Sequence, residues 1–121
     1  MELGFDGVNL GNTSTEYSNY LPEVEEAERS IYNTFTETFN GGIGGKALKS
    51  KSLKLCEFAS QEIKKINLKN EFHIIRTGGI DSPQDLAESA LAGVSFNQWQ
   101  TGFFFNYLEH GEEVYKKILN I

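Results

Sequence analysis

At 121 residues with 39% hydrophobic content, the chain has the length of one domain, spanning 1–121, and no composition shift divides it. A net charge of −6 argues against nucleic acid as a partner, because phosphate contacts need a basic surface. A single cysteine, Cys56, excludes an intrachain disulfide, and His73 and His110 lack metal-ligand spacing; no long apolar run or basic-then-apolar N-terminus is present, so the expectation is a cytoplasmic or intracellular chain with no metal and no membrane association encoded in this segment.

Phe5 to Leu10 alternates apolar with polar or small residues and runs into Gly11-Asn12-Thr13, which predicts a strand ending in a loop. The acidic stretch from Pro22 to Phe39 predicts a helix with Pro22 in its first turn, weakened at its end by Thr34, Thr36 and Thr38. Gly41-Gly42-Ile43-Gly44-Gly45 predicts a loop, since glycine reaches backbone angles closed to other residues. Leu53, Cys56, Ala59, Ile63 and Ile66 recur at spacings of three or four and predict an amphipathic helix over 51–66, with Cys56 as a small core residue. The lysines at 46, 49, 51 and 54 fit an anion site or a solvated helix face equally well.

Phe72 to Arg76 predicts a strand, Thr77-Gly78-Gly79 a turn, and Ser82-Pro83-Gln84-Asp85 a helix start with an N-cap, a proline at the first position and an acid at the third. His73 is expected half-buried in that strand. Val94 to Gln100 predicts another strand, and Tyr107 to Leu119 a last helix burying Val114, Tyr115, Ile118 and Leu119. Phe103, Phe104 and Phe105 are expected to pack between that strand and helix. The alternation predicts an α/β fold built of about three βα units with parallel strands, whose loops at Gly11–Thr13, Gly78–Ile80 and Thr101–Gly102 open on one face.

Read in order, D-G-V-N-L-G-N-T (6–13), G-G-I-G-G-K-A-L-K (41–49), H-I-I-R-T-G-G-I-D-S (73–82) and A-G-V-S-F-N-Q-W-Q-T-G-F (92–103) resemble the last third of dihydroorotate dehydrogenases, with the quinone-using class most similar through Asn12-Thr13-Ser14 and Q-T-G-F-F-F. The resemblance implies a partial (β/α)8 TIM-type barrel carrying strands six to eight. It also implies FMN as cofactor and dihydroorotate and orotate as substrate and product, with a proton lost from one ring carbon and hydride passed from its neighbour to the flavin. Carried over by position, Asn12 and Thr13 would contact the pyrimidine. Gly11 would pass near the flavin, Gly45 would admit it, and Gly79, Gln100 and Thr101 would hold its phosphate.

The residues alone leave an Asx-type turn or helix cap open for Asn12 and Thr13. Arg76 and Thr77 depart from the family's usual Gly-Val, Gln100 from a common aromatic, and Gly44 from a frequent serine; Arg76 would either contact the phosphate or fill the flavin's space. The family's catalytic base, a serine or cysteine, together with its flavin-contacting lysine and second set of asparagines, comes from upstream segments, so no catalytic residue is expected here. A whole barrel takes about 250 residues, and the chain is therefore expected to act with an N-terminal half-barrel partner or as a homodimer. A non-catalytic FMN- or phosphate-binding half-barrel and a folded remnant without a ligand are the alternatives.

Overall fold

The computed structural model describes residues 4–66 and 70–121. Three parallel strands, β1 (Gly7–Leu10), β2 (His73–Thr77) and β3 (Phe96–Gln98), form a sheet in the order β1-β2-β3. Asn9 pairs with Ile75, which pairs with Phe96, and Thr77 pairs with Gln98. Six α-helices accompany them among the described residues: α1 (Tyr17–Tyr20), α2 (Arg29–Phe39), α3 (Lys49–Lys65), α4 (Pro83–Leu91), α5 (Thr101–His110) and α6 (Val114–Leu119). This is the expected succession of parallel βα units, an arc of a TIM-type barrel with α3 and α4 as its crossovers.

The core lies on the helix side of the sheet. Strand alternation sends Ile74 and Arg76 toward α3 and α4, while His73, Ile75 and Thr77 face the other way and are half-buried. Ile74, Leu48, Cys56, Ile80, Ala92, Val114 and Ile118 close this layer, and full burial of aliphatic side chains such as Ile74 or Val114 contributes about 1.5–3 kcal/mol each. Burial pushes the Cys56 thiol above its ordinary pKa, as suits a packing residue and not a nucleophile.

Several boundaries differ from the sequence expectation. The helix expected from Pro22 begins at Arg29, because Leu21–Glu23 and Glu26–Glu28 form separate 3-10 turns with Val24 extended between them. The helix continues through its threonines to Phe39, with the Thr34 and Thr36 hydroxyls donating to the carbonyls of Ser30 and Tyr32 at 2.8 and 3.0 Å. The glycine run is not wholly irregular, since Ile43 bridges Ser14 and a 3-10 turn starts at Gly45. Helix α3 starts two residues earlier than expected. Its fully buried stripe is Ser52, Cys56 and Ser60 rather than the aliphatic positions, and Ile66 is exposed.

Around the last two strands the differences continue. Strand β2 is shifted by one residue and β3 is shorter than Val94–Gln100. The last helix begins at Thr101 and breaks at Gly111, whose φ of 56° ends α5. Val114 and Ile118 are buried as expected, whereas Tyr115 and Leu119 are exposed. Phe103 packs against Trp99, Tyr107 and Tyr115, but Phe104 and Phe105 face outward.

Candidate functional site

The loops that leave the three strands converge on one cavity of about 470 Å³. Gly11 has a φ of 95°, and a Cβ there would lie 2.1 Å from the Thr77 carbonyl oxygen, so only glycine lets β1 leave the sheet against β2. Asn12 and Thr13 follow. Ser14 then pairs with Ile43 through Ser14 N–H to Ile43 O at 3.0 Å and Ile43 N–H to Ser14 O at 2.8 Å, which draws the glycine run over the strand ends. Gly44 and Gly45 pack on the Thr101 side chain.

Strand β2 is followed by Gly78 and Gly79, both with positive φ. From there Ile80 carries the chain into α4, whose start is a capping box: Ser82 Oγ accepts from Asp85 N–H, and Asp85 Oδ2 accepts from Ser82 N–H at 3.0 Å. The first turn of α5 rests directly on this loop, since a Cβ on Gly102 would meet the Ile80 carbonyl oxygen at 2.1 Å, and Asn106 Nδ2 donates to Asp81 O at 2.9 Å. The N–H groups of the α5 N-terminus and of Gly79, which have no acceptor among the described residues, border the same space, whereas the Gly78 N–H donates to Gln98 O at 3.5 Å.

Six of the seven residues singled out in the sequence line this cavity: Asn12, Thr13, Gly45, Gly79, Gln100 and Thr101. Gly11 does not; it lies behind, in an adjoining hollow with Ser14, Lys51 and Ser52. Asn12 Oδ1 accepts the Thr13 N–H at 2.8 Å, one residue on and not the two of an Asx turn. Thr77, Gly78, Gln98 and Trp99 also line the cavity and were not singled out. Period-two alternation carries the signal for two of them: the Thr77 hydroxyl donates to Asn9 Oδ1 at 2.6 Å and Asn9 Nδ2 donates to Gln98 Oε1 at 3.0 Å, a polar row across three strands on the face that opens away from the helices.

The electrostatics differ from what the lysine cluster suggested. Lys46 and Lys49 pair with Asp81 at 3.5 and 3.3 Å, Lys49 also lies 2.8 Å from Asp85, and Lys51 pairs with Glu16. Among the described residues no lysine or arginine lines the cavity, so an anion held by them relies on backbone amides, hydroxyls and the helix terminus. Arg76 neither reaches the cavity nor occupies it. Its side chain lies on the helix side with 0% exposure, donating to Ser52 Oγ at 2.9 Å, Ser89 Oγ at 2.8 Å and the Lys49 and Asp85 carbonyls at 3.0 and 3.3 Å. Burial lowers its pKa and the nearby Asp85 raises it. Burial likewise pushes the Asp85 carboxyl up, but bonds from Lys49, Ser82 and the Asp81 amide outweigh it and bring the pKa down to about 2.

A family model described as dihydroorotate dehydrogenase matches residues 1–121. The mitochondrial dihydroorotate dehydrogenase (quinone) of Lachancea kluyveri is 32% identical over 100 residues, covering 83% of this chain and 20% of that protein. The corresponding quinone enzyme of Psychromonas ingrahamii is 37% identical over 81 residues, 66% of this chain and 21% of that protein. The mitochondrial one of Candida glabrata is 30% identical over 100 residues, 83% of this chain and 20% of that protein. The chain thus spans about a fifth of the length of these relatives. It belongs to the dihydroorotate dehydrogenase family and is similar to its quinone type.

Proposed function

We propose that this chain supplies the flavin-phosphate- and pyrimidine-binding loops of an FMN-dependent dihydroorotate dehydrogenase of pyrimidine biosynthesis, and that it does not turn over dihydroorotate alone. The observation that carries this reading is the convergence of Asn12, Thr13, Gly45, Gly79, Gln100 and Thr101 on one cavity. The cavity fits a phosphate on a physical ground: positive-φ positions at Gly45 and Gly79 and the start of the ten-residue α5 present backbone donors, and among the described residues no cationic side chain lines it. When bound, FMN would accept hydride from dihydroorotate. The residues of this chain would hold its phosphate at Gly79, Gln100 and Thr101, admit it at Gly45 and orient the pyrimidine through Asn12 and Thr13.

The sheet face carrying Asn9, Phe96 and Gln98 is exposed, and both of its outer strands lack a further partner among the described residues. An uncovered face of this kind supports action with an N-terminal half-barrel or a second copy. Titration of the purified chain with FMN, followed by flavin fluorescence and by light scattering for mass, tests the reading. Saturable binding at one flavin per chain or per dimer is expected, with no bleaching by dihydroorotate. Absence of FMN binding removes the reading in favour of a folded chain without this ligand.

A further inference from the structure

The buried Arg76 lies behind the glycine turn and is joined to it by hydrogen bonds whose direction is fixed. Its Nε donates to Ser52 Oγ at 2.9 Å, and Ser52 Oγ lies 2.8 Å from the carbonyl oxygen of Gly78. Arginine has only donors and stays charged in proteins, so the Ser52 oxygen must accept from it. The single hydroxyl proton is then free to go elsewhere. Two carbonyls lie within its reach, Gly78 O at 2.8 Å and Lys49 O at 3.2 Å, and the shorter bond, to Gly78, is the stronger one.

A trans peptide points its C=O and its N–H in opposite directions, and no cis peptide occurs among the described residues. Holding the Gly78 carbonyl toward α3 therefore turns the Gly79 N–H away from α3. Gly78 and Gly79 both line the cavity, and the Gly79 N–H finds no acceptor among the described residues.

We propose that Arg76 and Ser52 form a positioning relay that sets the Gly78–Gly79 peptide with its N–H facing the cavity as a donor to an oxyanion of the phosphate class. The inference rests on the reading of this cavity as a flavin-phosphate site. Arg76 touches no ligand in this scheme; it acts through Ser52. Ser89 is a built-in control, because it accepts from Arg76 Nη1 at 2.8 Å and donates to Asp85 O at 2.8 Å, on a branch of the network with no bond to the glycine turn.

The test is a titration of the ¹⁵N-labelled chain with inorganic phosphate, read at the Gly79 amide, in wild type, Ser52→Ala and Ser89→Ala. A saturable shift of Gly79 is expected in wild type, and Ser52→Ala is expected to weaken phosphate by about fivefold or more, the effect of one lost hydrogen bond. In the ligand-free spectrum Ser52→Ala is expected to move the Gly79 resonance, while Ser89→Ala leaves both readouts near wild type. Equal effects of the two variants, an unmoved Gly79 in Ser52→Ala, or a wild-type Gly79 indifferent to phosphate overturns the relay. Should Ser52→Ala not fold, Ser52→Cys keeps the shape with a weaker donor, and undiminished phosphate affinity in it is likewise fatal to the proposal. FMN and riboflavin titrated in parallel separate the two ideas: a phosphate response at Gly79 without FMN binding removes the flavin reading and supports the relay.

Discussion

Gly79 sits so close to the start of α3 that a Cβ on it would lie 2.3 Å from Lys49 Cα and 2.4 Å from Lys49 N. The obstacle is backbone, which cannot swing aside, and φ at Gly79 is 77°. Gly79→Ala should therefore cost about 3 kcal/mol or more, combining left-handed strain with a forced shift of the helix. Gly45→Ala meets only the Thr101 side chain, with Cγ2 at 3.1 Å, and should cost about 1–2 kcal/mol from its positive φ. Thermal melts of the two variants give the comparison, and similar melting temperatures would refute the packing argument. A consequence is that weak phosphate binding by a Gly79 variant does not by itself identify a contact.

Asp85 gives the fold a defined acid limb. Its folded pKa of about 2 lies below the ordinary 3.8, so the proton binds the unfolded chain more readily. The associated stability is fully present above about pH 5 and is lost as pH falls from there through about 2; the shift is worth about 2 kcal/mol. Asp85→Asn should remove this part of the acid dependence and lower stability at pH 7, because Lys49 and the capping box lose their carboxylate. Urea unfolding at pH 7, 5, 4 and 3 measures it. A variant whose stability falls between pH 5 and 3 as steeply as wild type would show that another group governs the acid limb.

The parallel βα order and the convergence of the loops were legible in the sequence because they rest on local signals: strand alternation, glycine turns and the Ser82-Pro83 helix start. What was not legible depends on tertiary partners. The lysines at 46, 49 and 51 read as a possible anion site until Asp81, Asp85 and Glu16 are brought to them from distant segments. Arg76 was ambiguous for the same reason. Its register in β2 fixes that it points to the helices, but the acceptors that make burial tolerable are small hydroxyls on α3 and α4, which no hydrophobic periodicity marks. The aliphatic pattern of α3 likewise hid a buried Ser52-Cys56-Ser60 stripe.

Asn12 tests the pyrimidine assignment separately from the phosphate. Its Oδ1 is engaged by the Thr13 N–H at 2.8 Å, which aims the remaining amide group without locking the loop elsewhere. Asn12→Ala should weaken orotate binding to the FMN-loaded chain by about tenfold, the scale of a lost polar contact in a cavity, while FMN affinity stays within about twofold. Orotate-induced changes in the flavin spectrum provide the readout. Equal losses for orotate and FMN would mean that Asn12 serves the shape of the loop rather than the pyrimidine.

The open face of the sheet predicts how the chain behaves in solution. Phe96 is 56% exposed and Phe5 71% exposed on or beside strands β3 and β1, whose outer edges have no partner among the described residues. Apolar surface next to unpaired strand edges favours association with whatever completes the sheet. Without an N-terminal half-barrel, the chain should therefore gain mass with concentration in light scattering. Phe96→Lys places a charge on that face and should shift the association to concentrations about tenfold higher, since burying an unpaired ammonium outweighs the loss of one aromatic contact. Phe96 lies outside the cavity lining, so FMN affinity per chain should be preserved if a single chain holds the phosphate. An unchanged mass profile for Phe96→Lys would place the association surface elsewhere, on the exposed Phe104 and Phe105 of α5 or the Phe35 and Phe39 pair of α2.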